Sequence, residues 1–211
     1  MTATAAPSSR ERLGRLLELA AGGADARAAL LDQLADLLFD WPADYAQAMR
    51  APFEALFEKT AREADAATRA VLAARLADHA ELPVALLNEF FLDAAEPMRA
   101  DILRRNDARD DAMPQPLRAD AAGLVAAARR TMNGAFAEIF ASALSLPSPM
   151  ARAILRDGQA AAIACRSAGL DRAAYSAIAL LTGSDPACLA QYDDIPQAGA
   201  ERLVEFWRTR I

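Results

Sequence analysis

This 211-residue chain holds only one lysine, one histidine and two cysteines. The lysine, Lys59, sits in Phe57-Glu58-Lys59-Thr60 with no glycine nearby, which excludes a phosphate-cradling loop. A dinucleotide fingerprint and a G-x-S-x-G elbow are also absent. The lone His79 excludes zinc sites that require paired histidines. A dyad of His79 with a cysteine is conceivable chemistry, but a partly exposed histidine at a helix end is the simpler reading. Cys165 and Cys188 read as small buried hydrophobes, with nothing to suggest an oxidising compartment. No catalytic residue, cofactor or metal is expected.

Aromatics make up only 6% of the chain, and few stretches combine Val, Ile, Thr and aromatics, which weighs against sheet. Met1 to Arg10 has no basic segment followed by an apolar core. No later run reaches the ~20 apolar residues that a membrane span needs, so the expected address is the cytoplasm, with no membrane partner. A basic stripe is missing too. The net charge of -6 comes entirely from the front of the chain, with 14 basic against 20 acidic residues up to Arg118 and 9 against 9 beyond it. Phosphate neutralisation needs clustered cations, so this balance argues against a nucleic-acid partner.

What is present is alanine, leucine and punctuation. With 54% hydrophobic and 25% charged residues the chain has a globular balance, and nine glycines and eleven prolines fall mostly between helix-sized apolar segments. Ser8 and Glu11 have capping-box spacing before a helix carrying Leu13, Leu16, Leu17 and Ala20 on one face. Gly22 and Gly23 end it. Asp25 can cap a second helix to Phe39, with Leu30, Leu31, Leu34, Leu37 and Leu38 inward. Pro52 should split 43–63 into a short helix and a longer one. Asp65 opens a helix through Leu72 and Leu76; Pro83 and Pro97, fourteen residues apart, each begin another.

The stretch 107–118, with Pro114 and Pro116 and no apolar period, reads as an exposed linker between a region 1–106 and a region 119–211. Beyond it, Asp120 starts one long helix or two, divided at Asn133-Gly134. Ser148-Pro149 and Asp185-Pro186 are start signals. Gly169-Leu170-Asp171 combines a glycine stop with an aspartate cap, and Leu170 is placed to staple against Tyr175. Pro196 precedes a last helix whose Leu203, Val204, Phe206 and Trp207 can dock on the body. About a dozen helices and no strand result: an all-α chain of stacked helical hairpins followed by a helical bundle.

Ala73 to Asn106 contains a helix end with Arg75-Leu76-Ala77, a proline-started leucine-rich helix and one ending in I-L-R-R-N. It resembles a degenerate HEAT-type pair. It is also similar to the bacterial family filed as domain of unknown function number 2336, whose C-terminal helix Leu203-Val204-Glu205-Phe206-Trp207-Arg208 resembles. That resemblance implies a HEAT-like α-solenoid and no particular chemistry.

Several side-chain groups invite a functional reading. Arg99, Arg104, Arg105 and Asn106 are the one local basic grouping; in a HEAT-like stack they would line the concave surface and hold an acidic peptide or carboxylate. Asp32, Asp36 and Asp40 share a helix face, but calcium wants 6–8 converging oxygens and a straight helix cannot supply them, so a solvated acidic face is the better reading. The adjacent pairs Asp110-Asp111 and Asp193-Asp194 read as turn residues. Phe39, Trp41, Tyr45, Phe53 and Phe57 are the densest aromatic group and read first as core. The expectation is a non-enzymatic interaction or scaffold protein with a protein partner. The alternatives are a HEAT-like DNA glycosylase and a sensor holding a small apolar molecule between Phe136, Phe140 and Tyr175.

Overall fold

The computed structural model describes residues 9–22, 24–79, 82–131, 133–184 and 187–210. Among these are thirteen α-helices and no strand. No helix among them is long and apolar enough to cross a membrane. The chain divides into two compact units, Met1–Ala95 and Glu96–Ile211. The Ser8–Glu11 box, Gly23 and Asp185-Pro186 lie outside the described residues or side chains.

The first unit holds α1 (Ser9–Ala20), α2 (Ala24–Phe39), α3 (Arg50–Glu63), α4 (Ala66–Leu76) and the short α5 (Val84–Asn88). Helix α2 packs against both α1 and α3. All five of its leucines at positions 30, 31, 34, 37 and 38 are buried, as their period predicts. Leu17 of α1, expected inward, is instead 65% exposed. Pro52 divides the 43–63 segment as expected: a 3₁₀ turn at Gln47–Met49 precedes α3, and the proline takes the third position, where no backbone donor is needed. Asp65 caps α4 by accepting from Thr68 N at 2.9 Å. Pro83 is the N-cap of α5, whose single turn and a bit runs into a second 3₁₀ turn at Phe91–Asp93 that packs on α4.

The second unit begins earlier than the sequence suggests. Helix α6 (Glu96–Asp107) belongs to it, because Met98, Ile102, Leu103 and Asn106 are buried and the helix packs along α13 (Gln197–Arg208). The division therefore falls after Ala95 rather than in 107–118. That extended stretch is a strap within one unit, tied at its far end by Ala119 N donating to Ala168 O at 3.1 Å.

Helices α7 (Ala121–Arg130), α8 (Asn133–Leu144), α9 (Ser148–Arg156), α10 (Gly158–Ser167) and α11 (Arg172–Thr182) follow, each packing on the next. Two helices form rather than one, with Asn133 and Gly134 opening α8 instead of separating it from α7. α10 is the axis of this bundle, in contact with α9, α11, α12 (Ala187–Ala190) and α13. Its residues 160–165, mostly alanine, are buried on every side, because a central helix must be narrow to be surrounded. Asp157 caps it through Ala160 N at 2.9 Å. Gly169, at φ +73°, closes it with a Schellman pair, Leu170 N to Cys165 O and Gly169 N to Arg166 O. Asp171 then caps α11 through Ala174 N at 2.8 Å. Pro147, not Ser148, occupies the N-cap of α9; Ser148 Oγ turns instead to Glu138.

The α6–α13 crossing depends on one small residue. A Cβ built on Gly199 would stand 2.6 Å from the backbone oxygen of Leu103 and 3.3 Å from the Asp107 backbone nitrogen. Both are main-chain atoms and cannot swing aside. Gly199→Ala is therefore expected to destabilise the unit by about 1–3 kcal/mol, despite alanine's better helix propensity, and a urea titration with a lower midpoint would show it. An unchanged or raised midpoint would mean the two helices can part freely.

Candidate functional site

The four residues expected to form a basic surface do not share one open face. Arg99 pairs with Asp157 at 2.7 Å and reaches Gln159 Oε1 at 3.4 Å. Arg105 Nη1 lies 3.9 Å from Asp101 Oδ2, and Arg104 also pairs with Asp101. Asn106 is fully buried. It stands four residues after Ile102 and three after Leu103, on the stripe that α6 turns inward, and its Nδ2 donates to Ile102 O at 2.9 Å. Only the Arg104 side chain, 75% exposed, stands out into solvent.

Arginine serves a different purpose in much of this fold. The last carbonyls of a helix have no intrahelical donor and carry the negative end of the dipole, so a guanidinium placed there satisfies both. Arg69 donates to Ala61 O at the end of α3 (2.8 Å) and to Glu89 O (2.6 Å), pairs with Asp93 at 2.7 Å, and lies over the Phe90 ring at 5.2 Å. Arg208 donates to Leu144 O at the end of α8. Arg202, 8% exposed, donates to the carbonyls of Asn106, Asp107, Arg109 and Asp111 at 2.7–3.4 Å, closing α6 and pinning the strap that follows.

The other groups singled out by sequence are likewise engaged. Arg75 bridges Asp32 and Asp36 at 2.6 Å each and lies over Phe39, on which His79 stacks with centroids 3.6 Å apart. Among the described residues no three His, Cys, Asp or Glu side chains gather for a metal ion. Trp41, Tyr45 and Phe53 form one aromatic cluster, while Phe57 turns to Phe90. Phe136, Phe140 and Tyr175 are all core residues. Tyr175 stacks on Tyr192 at 4.6 Å and donates its hydroxyl to Gly158 O; Tyr192 donates to Leu170 O. Burial pushes the nearby Cys165 thiol up to about 12, so no thiolate forms there at neutral pH.

A groove of about 680 Å³ opens between α7 and α11 in the second unit. The two helices pack on each other and start at the same end, because the Ala119–Ala168 bond joins the residue before the α7 cap to the C-cap of α10, three residues before the α11 cap. Ala121, Ala122, Val125 and Ala126 form one wall; Ala173, Ala174 and Ala177 form the other. Arg129 and Arg130 line it at the last turn of α7 and Asp171 at the first turn of α11. Neither arginine pairs with a carboxylate among the described residues; Arg130 Nε donates to its own helix at Ala126 O. Beyond Ala177 the helical period continues the α11 wall to Leu180, 70% exposed, and Leu181, 42% exposed. These are the only adjacent pair among the large apolar side chains left exposed in the described residues.

No protein-family model, curated protein or solved structure matches this chain.

The groove was not among the sequence's candidate sites. Alanine fits a buried helix–helix contact and an open floor equally well, so its pattern alone does not tell the two apart. One signal was there: Tyr175, Ile178, Ala179 and Thr182 trace the inward stripe of α11, and Leu180-Leu181 fall off it.

Proposed function

We propose that this chain is a non-enzymatic interaction module that receives a protein partner in the groove between α7 and α11. The observation that carries the reading is a trough walled largely by alanines, with the exposed Leu180 and Leu181 one helical turn beyond Ala177 on the α11 side. The acidic balance and the internal engagement of Arg69, Arg202 and Arg208 favour a protein over a nucleic acid. The same proposal extends to a cytoplasmic setting and to the bacterial helical-repeat family that Ala73–Asn106 resembles.

A photo-crosslinking side chain placed at Ala126, in the native cell, tests the groove directly. A discrete adduct is expected, and a tryptophan at the facing position, Ala177→Trp, should reduce its yield by about tenfold by filling the trough. Placing the crosslinker at Arg156, an exposed position outside the lining, should give no such adduct. If Ala126 yields no adduct, or one that the tryptophan leaves unchanged, the groove is not the docking surface.

A further inference from the structure

We infer that the occupant of this groove is an amphipathic helix lying antiparallel to α7 and α11, with acidic side chains in its first turn. The inference rests on the interaction-module reading and adds the chemistry and direction of the partner.

Shape gives the helix. The trough runs along α7, whose ten residues span about 15 Å, so about three turns of helix match it. Its floor presents small residues at a spacing of four on each side, Ala122 and Ala126 on one helix and Ala173 and Ala177 on the other. Small side chains let a third helix approach to about 8 Å, and a single ridge of leucine-sized side chains would fill the space while covering Leu180 and Leu181.

Charge gives the direction. Because α7 and α11 start together, both of their carbonyl ends lie at the opposite end of the groove, and a third helix is favoured electrostatically when it runs the other way. Its amino end then lies over Arg129 and Arg130. Acidic residues are favoured in the first turn of any helix and would here also meet two guanidinium groups that no carboxylate of the described residues neutralises. At the far end the caps Asp120 and Asp171 outnumber Arg118, which lies on Gly169, so the partner's last turn faces net negative charge and suits a basic residue. A parallel helix would bring its basic last turn to the arginines and its acidic first turn to the aspartates.

The test is a display selection of helical peptides about twelve residues long, randomised at every position, against the full chain. Enriched sequences are expected to carry Asp or Glu in the first turn and leucine-like residues at i, i+4 and i+7. Against the double variant Arg129→Glu, Arg130→Glu, the best peptide should bind about tenfold more weakly, and a fresh selection should turn to Lys or Arg in the first turn. Both substitutions are at exposed positions, and unchanged circular dichroism will verify the fold. Failure to enrich any peptide, enrichment without first-turn acids, or affinity indifferent to the charge reversal would overturn the inference. A crosslinked partner at Ala126 together with any of those results would leave the module reading standing and remove only this one.

Discussion

Replacing Arg202 by methionine is expected to cost the second unit about 3 kcal/mol, and replacing it by lysine to recover only part of that. The guanidinium serves four backbone carbonyls, those of Asn106, Asp107, Arg109 and Asp111, and lies 3.2 Å from the Asp111 carboxylate. Methionine fills the same space but removes the guanidinium from all four carbonyls, and that of Asn106, on a fully buried residue, keeps a long bond from Arg109 N at 3.4 Å. A buried ion pair can sometimes be exchanged for apolar side chains at no loss, because both partners are removed together. Backbone carbonyls cannot be removed. Lysine keeps the charge but, as a compact ammonium, cannot spread its donors over four oxygens as a planar fork does. Urea unfolding should give the order wild type, lysine, methionine. Limited proteolysis should show new cleavage between Arg109 and Arg118 in the methionine variant. A methionine variant within about 0.5 kcal/mol of wild type would mean that water or neighbouring donors replace the guanidinium.

This arginine shows where the sequence is readable and where it is not. Helix punctuation is local chemistry and was legible: Asp65, Asp120 and Asp171 cap the helices they were expected to start, and Gly169 closes α10 in the left-handed conformation. Asp157-Gly158 carried the same kind of signal between α9 and α10 and can be read in retrospect. The leucine period of α2 fixed its inward face without reference to any other helix. Segment grouping depends on distant contacts instead. Nothing in residues 96–107 says that Gly199, more than ninety positions later, will let α13 approach within Cβ distance of Leu103 O. Two prolines made 107–118 look like a boundary, whereas Arg202 makes it a strap.

The candidate site divides along the same line. Counting arginines near Asn106 located positive charge but not its partners, since Asp157 for Arg99 comes from a helix cap far along the chain. Residues that repeat every three or four positions look alike whether they face a neighbour or solvent, and in alanine-rich helices the difference in side-chain size that usually distinguishes them is missing. The α7–α11 groove is legible only through Leu180 and Leu181, whose exposure contradicts their hydrophobicity.

In the first unit the largest single effect is expected from Phe57→Ala, a loss of about 3–5 kcal/mol. Phe57 is fully buried at the middle of α3, with its ring 5.7 Å from Phe90. Phe90 in turn lies beneath the Arg69 guanidinium, which ties together the carbonyls of Ala61 and Glu89 and the carboxylates of Glu89 and Asp93. Truncation removes the six ring carbons from a site whose surroundings cannot collapse without moving this network, which places the cost toward the upper end of the range. Phe57→Leu keeps most of the volume and should cost less than about 1.5 kcal/mol. Arg69→Met tests the link from the other side: if ring and guanidinium act as one unit, the double variant should lose measurably less than the two single losses added, and simple additivity would show two independent contacts. Hydrogen exchange should report the alanine loss as faster exchange across α2, α3 and α4. If faster exchange were confined to α3, Phe57 would be supporting only its own helix.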